Sequence, residues 1–327
     1  MFTLAEKSLY VEAIDLWIDS MRSRERCYIS HGHSDHAREH DVVVATPNTA
    51  RICRARFAQK PQRPAVQFEE HEFNAPWNDG EHRLTLFPAG HVLGSSQMLI
   101  EGELGRFVYT GDFKLTHSLT AEPPEVKQCD VVLMECTYGG PQYAFPPRAE
   151  VAGEMIDFAR KILEGDAVPV FFAYSLGKAQ EAVAILGNAG FKLTVHGGIA
   201  SMCDVYRACG VSLPPYDRYE SHAFDRRSVV IWPPSRGSVR KALRGRLLYT
   251  AMLTGWTVDR ATAYRYGADR GFALSDHADY PALLRYVELA QPKKVLLNHG
   301  RRDFVYRLRE IGVHAEYLEE HEQLALF

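Results

Sequence analysis

The chain has 327 residues, 46% of them hydrophobic, with 38 basic against 41 acidic side chains for a formal net charge of −3. That is apolar material for two folded units, since single cores stop growing at roughly 250–300 residues. The charge excludes a generally basic nucleic-acid coat, though not a local basic groove. No apolar run approaches the ~20 residues that span a bilayer.

The opening residues lack a basic stretch followed by an apolar core, so no secretory leader is expected. Six scattered cysteines with no Cys-x-x-Cys pair read as reduced thiols, which together predicts a cytoplasmic protein. Arg26 to Ser30 predicts a short strand running into His31-Gly32-His33-Ser34-Asp35-His36, where Ser34 is placed to cap a helix reaching His40. A strand at Val42 to Ala45 and a helix at Pro47 to Arg56 follow. Next come strands at His82 to Phe87 and Ser96 to Glu101, a turn at Gly102 to Gly105, and Arg106 to Thr110 closing a hairpin. Asp130 to Glu135 reads as a buried strand.

The pattern changes near Pro141 to Pro147. Helices at Arg148 to Glu164, Leu176 to Ala189 and Ile199 to Ala208 then alternate with strands at Val168 to Ala173, Leu193 to His196, Val229 to Trp232 and Leu247 to Met252. Such alternation implies a mainly parallel sheet. A helix from Pro281 to Ala290, a strand from Lys294 to Asn298 and a helix from Phe304 to Ile311 close the chain. The expected organisation is a β-rich unit at 1–145 and 270–327, interrupted by an α/β unit at 146–269.

Three histidines and an aspartate within six residues are the ligand types that suit zinc, and also accept manganese or iron. Packed so tightly, they do not easily all face one ion, which points to two. His91, Asp112 and His299 each follow a predicted strand beside glycines that let the backbone turn. We assign His31, His33 and His91 to a first metal and Asp35, His36 and His299 to a second. Asp112 bridges them beside a shared hydroxide, the arrangement of a two-metal hydrolytic centre. His40, His71, His82, His222, His314 and His321 carry no expected role.

The order His31-x-His33-x-Asp35-His36, His91, Asp112 resembles the metallo-β-lactamase fold. Glu135 in MECTYG, His277 in LSDHADY, His299 in LNHG and the segment from Ala173 to Glu181 resemble the β-CASP nuclease branch, over nearly the whole chain. The resemblance implies an α/β fold: an αββα sandwich with an inserted β-CASP α/β cap. It implies two divalent ions, zinc foremost. The compact chain and the TAMLTGW segment look most like bacterial ligase-associated DNA-damage-response exonucleases, relatives of Artemis-type nucleases. That makes DNA the favoured substrate and a ligase or helicase a partner, with no membrane. His299 pulls toward the RNA-processing members, which keeps a ribonuclease reading open. A small-molecule metallohydrolase and a non-catalytic scaffold are weaker alternatives.

The family implies phosphodiester hydrolysis. His277 stands outside the ligand set, and imidazole as a group titrates near neutrality, so it is the candidate general acid, with Glu135 holding its other ring nitrogen. Asp35 and Asp112 join them in the catalytic set through the metals. A nuclease must also hold a polyanion. Arg236, Arg240, Lys241, Arg244 and Arg246 crowd one stretch of the cap, and Ser175 and Lys178 lie at a strand-to-helix turn suited to phosphate. They are the expected nucleic-acid contacts, with Ser95, Ser96 and Ser275 as lesser candidates.

Overall fold

The computed structural model describes residues 8–58, 65–103 and 105–318, together with the backbone of 2–5 and 323–324. The chain divides into two compact units, one of residues 1–141 and 277–327, the other of residues 142–276. Arg270–Phe272, which the sequence reading placed in the first unit, pairs in parallel with Leu248–Leu253 and so belongs to the sheet of the second. Among the described residues no helix is long and apolar enough to cross a membrane.

The first unit holds two seven-stranded sheets. In one, the hairpin Ser8–Val11 and Leu16–Ile18 is followed by the parallel strands Arg26–Tyr28, Val42–Ala45 and Gln67–Glu70. In the other, His82–Pro88, Ser96–Gly102 and Gly105–Tyr109 form an antiparallel meander. Val131–Cys136, Lys294–Gly300 and Ala315–Tyr317 then add in parallel.

Side-chain alternation explains the layering, because successive strand residues face opposite sides of a sheet. Met98, Ile100, Phe107, Tyr109, Val131 and Leu133 point inward against Leu9, Leu16, Ile18, Tyr28 and Val44 of the first sheet. Their neighbours Leu99, Val108 and Val132 point outward, under Leu283, Tyr286 and Val287 of the helix Tyr280–Ala290 and Phe304 and Leu308 of the helix Phe304–Glu310. On the far side, Ile29, Val43 and Ala45 pack with Cys53 of the helix Pro47–Phe57. Two sheets with helices on both outer faces is the αββα sandwich.

The second unit is a six-stranded, all-parallel sheet in the order Asp217–Arg218, Leu193–Val195, Val229–Trp232, Val168–Phe172, Leu248–Leu253, Arg270–Phe272. Its central strands Val168–Phe172 and Val229–Trp232 are buried throughout, as expected where helices cover both faces of a parallel sheet. The helices Arg148–Glu164 and Lys178–Asn188 fall where the periodicity put them. The short helices Arg236–Ala242 and Arg260–Arg265 were not anticipated, since six or seven residues carry too little periodicity to read.

A candidate metal centre at the strand ends

The centre is built where the strands of the first unit stop. Arg26–Tyr28 runs through Ile29 and Ser30 to His31, and the Ser30 carbonyl accepts the Ser96 N–H at 2.9 Å. That bond ties the histidine run to the loop carrying His91. In the His91 loop, the Ser95 hydroxyl accepts the N–H groups of His91 (3.1 Å) and Val92 (3.2 Å). The Lys114 N–H reaches the Ala89 carbonyl at 3.0 Å and so fastens the Asp112 turn to the same loop.

Asp112 is the hub. Its Oδ2 lies 3.5 Å from Nε2 of His31, 3.4 Å from Nε2 of His36, 3.8 Å from Nε2 of His91 and 4.0 Å from Nε2 of His277. Ligand atoms of His31, His33, His91 and Asp112 all lie within 4.8 Å of one another. Nε2 of His31 is buried without a hydrogen-bond partner while its Nδ1 meets the Ser30 hydroxyl at 3.0 Å. A buried imidazole nitrogen left bare among acceptors and other imidazoles is costly unless a cation takes its lone pair, so the donor set fits a metal ion.

The group assigned to a second ion is looser. His36 is buried, with its ring 5.6 Å from that of His299, whereas Asp35 and His299 are exposed. These three fall outside the tightest clusters among the described residues. The helix expected after Ser34 does not form. His36 and Ala37 both donate to the His33 carbonyl, making a single turn, after which the chain is drawn away toward Arg24 and the next strand.

His299 owes its position to a break in register. Glu135 pairs with Asn298 but Cys136 pairs with Gly300, so His299 is the extra residue of a bulge, at φ 47°. Bulges re-aim side chains at sheet ends, and left-handed backbone in a non-glycine residue is strained. Gly300 makes the bulge possible: a Cβ there would lie 2.2 Å from the backbone carbon and oxygen of Cys136. Gly300→Ala is therefore expected to lower stability by about 1–3 kcal/mol, with the loss read as a drop in melting temperature.

One residue escaped the sequence reading. Asp19, buried at the end of Leu16–Ile18 with φ 46°, accepts hydrogen bonds from the Ser30 N–H (2.8 Å), the Ser30 hydroxyl (2.6 Å) and the Tyr109 hydroxyl (2.9 Å), and bonds His36 Nδ1 at 2.8 Å. It fixes which nitrogen of His36 faces Asp112, and steadies His31 through Ser30. Its only sequence signal is an acid closing an apolar strand, without the neighbouring glycine that marks Asp112.

Electrostatics follow from this packing. Burial and the neighbouring imidazoles hold His31 well below the usual histidine range. Burial opposes charge on His36 too, but Asp112 and Asp19 outweigh it and lift its pKa to about 10. Burial pushes Asp112 above the usual carboxylate range against the pull of His36 and His277. Glu135 is also buried, yet the charge and hydrogen bond of His277, with the N–H groups of Thr137 and Phe113, keep it below that range. The Glu135 oxygens lie 2.9 and 3.1 Å from Nδ1 of His277, which turns Nε2 toward Asp112.

His40 has a structural duty that the sequence did not disclose. Its Nδ1 accepts the Arg24 N–H at 3.1 Å, which requires the neutral ring, and burial lowers its pKa to about 4. A buried neutral histidine costs nothing above its unfolded pKa of 6.5, where both states are neutral. As pH falls from 6.5 toward 4 the unfolded chain takes the proton first, and stability drops by about 1–3 kcal/mol. Urea unfolding between pH 7 and 4 is expected to show this loss, and His40→Gln to remove it. His321 lies outside the described residues.

The other expected phosphate contacts need revision. Ser95 and Ser96 are buried and spend their hydroxyls on the loop and on Tyr28. Lys178 does open the helix after Val168–Phe172, but it is buried and its ammonium is paired with Asp276. Ser275 is buried, and Ser175 is partly buried in the turn before Lys178. Arg236 reaches Asp269 at 3.8 Å, whereas Arg240, Lys241, Arg244 and Arg246 are exposed.

A sandwich with helices on both faces and a histidine–aspartate cluster at its strand ends defines a metallo-β-lactamase-type hydrolase fold. Comparison with known proteins agrees. The Beta-lactamase superfamily domain matches residues 24–172, and the Zn-dependent metallo-hydrolase RNA specificity domain matches residues 271–322. A protein of unknown function from Enterococcus faecalis shares the fold at a TM-score of 0.63 and 14% identity, over 94% of this chain and 81% of its own. A probable DNA ligase of Opitutus terrae is 40% identical over 323 residues, 97% of this chain and 31% of that one. RNase aCSPSF2 of Saccharolobus solfataricus is 30% identical over 117 residues, 35% of this chain and 23% of that one. The chain thus spans less than a third of either relative. It belongs to the β-CASP branch of the metallo-β-lactamase superfamily, a family of metal-dependent hydrolases.

Proposed function

We propose that the chain is a two-metal nuclease that hydrolyses phosphodiester bonds of DNA, acting as an exonuclease in repair. The observation that carries this reading is Asp112, whose one oxygen lies within 4.0 Å of four imidazole nitrogens, beside the Glu135–His277 pair. His31, His33 and His91 would hold one ion and Asp35, His36 and His299 a second, with Asp112 placed to serve both. Divalent ions held there, zinc foremost, supply Lewis acidity and activate water near neutral pH.

The chain's own residues do the rest. Asp19 orients His36, and Ser30 orients His31. Glu135, kept ionised, takes Nδ1 of His277 and leaves its Nε2 to give a proton to the departing oxygen. Near-full-length similarity to a probable DNA ligase supports DNA, and supports a ligase as partner or fused neighbour. A ribonuclease is the second reading. His299 and the RNA specificity domain match at 271–322 favour it.

Incubating the zinc- or manganese-loaded protein with end-labelled single- and double-stranded DNA and matched RNA tests both. Stepwise shortening of DNA with RNA untouched is the expected result. Cleavage of RNA alone transfers the assignment to the second reading. Hydrolysis of a thioester or lactam with both nucleic acids intact removes the nuclease assignment.

A further inference from the structure

The second unit carries an unusual stretch of sequence. Between Asp225 and Asp259 there are seven arginines and lysines and no acidic residue. Five of these seven are Arg236, Arg240, Lys241, Arg244 and Arg246. The helix Arg236–Ala242 is anchored from beneath by buried Val239 and by the Trp232 indole N–H donating to the Ser238 hydroxyl at 2.7 Å. Arg236 and Arg240, four apart, share one of its faces.

That face begins at a cluster of exposed tyrosines. The side chain of Arg236 lies against Gly267, where an added Cβ would meet its Cδ at 3.4 Å. The end of the helix Arg260–Arg265 and the turn after it present Tyr264, 85% exposed, and Tyr266, 38% exposed. The Tyr266 hydroxyl lies near that of Tyr174, itself 47% exposed, and the Lys178 ammonium lies 5.4 Å from the centre of the Tyr174 ring. Lys178, Arg236 and Arg265 each have a carboxylate partner, in Asp276, Asp269 and Asp259. Arg240, Lys241, Arg244 and Arg246 are exposed, with no carboxylate partner among the described residues, and carry the uncompensated charge.

Exposed aromatic rings bordered by a run of cations are the two parts of a single-strand binding surface. Bases stack on the rings while the cations track the phosphates. A duplex keeps its bases stacked on each other and offers such rings nothing. We propose that Tyr174, Tyr264 and Tyr266, with Arg236 beside them and Arg240 one turn further along its helix, form a stacking surface that binds single-stranded nucleic acid. This rests on the nuclease reading and narrows its substrate to a strand with unpaired bases.

The test uses the full chain, metal-loaded, and nuclease-resistant phosphorothioate oligonucleotides: oligothymidylate and an abasic strand of equal length. Tyr264→Ala with Tyr266→Ala is expected to weaken oligothymidylate binding by roughly 10–100-fold, leave abasic binding unchanged, and be rescued by the corresponding phenylalanines. Arg240→Ala with Arg244→Ala is expected to weaken both strands and flatten the salt dependence of each by about one to two phosphate contacts. Equal loss on both strands in the tyrosine variant, or no loss on either, overturns the stacking surface while a cleaving wild-type enzyme leaves the nuclease reading standing. A wild-type protein that neither binds nor cleaves any strand overturns both.

Discussion

His277→Ala is expected to leave metal content at the wild-type level and to cut turnover by roughly 10²–10⁴-fold, the range for loss of a positioned general acid. His277 stands among the candidate ligands, its Nε2 4.0 Å from Asp112 Oδ2, so metal content is the readout that tells a proton donor from a ligand. Nδ1 of His277 is committed to Glu135 at 2.9 Å, and the Ala278 N–H donates to the Phe113 carbonyl at 2.7 Å, so the residue is held by the Asp112 turn itself. Removing the imidazole is expected to leave His31, His33, His91 and Asp112 able to hold an ion. Elemental analysis beside steady-state rates checks this. A substrate with a leaving group that needs no proton, such as a nitrophenolate ester, is expected to recover much of the lost rate. If metal content falls with turnover, His277 is a ligand and the proton must come from elsewhere.

Asp112→Asn is expected to have the opposite signature, losing metal as well as activity. The substitution removes the one negative charge within 4.0 Å of four imidazole nitrogens and replaces an oxygen acceptor pair with an amide that brings two N–H donors into the cluster. Turnover is expected to fall by roughly 10³-fold or more, about 4 kcal/mol of transition-state stabilisation. Titration with zinc, followed by calorimetry, is expected to show weaker and fewer binding events than wild type. Tight wild-type stoichiometry in the variant would remove Asp112 from the bridge. Side by side, the two variants separate proton transfer from metal holding, because each acts on a different side of the same 4.0 Å contact.

Much of the backbone was readable because its signals are local. The helix Arg148–Glu164 and the strand Val229–Trp232 run as their apolar spacing predicts. Failures had physical causes. The helix after Ser34 loses to the draw of His40 and Arg24, a tertiary bond that no propensity encodes. Lys178, at a turn suited to phosphate, is instead claimed by Asp276, 98 residues away in sequence. The division of the chain shifts because Arg270–Phe272 finds its partner in Leu248–Leu253, and strand pairing is decided by neighbours rather than by the strand itself.

By itself the sequence determined which residues can do chemistry: imidazoles and carboxylates have their ligand character wherever they stand, and their crowding between His31 and His36 is visible without a fold. It also determined the alternation that splits each strand of the central sheet between two cores. The tertiary structure alone decided which atoms meet. Asp19 becomes the support of His36 because two strand ends are neighbours across a sheet. His299 is aimed by a bulge that exists only when Val131–Cys136 and Lys294–Gly300 pair. Ligand chemistry is a property of side chains, but coordination is a property of distances, and those are set by contacts between segments far apart in the chain.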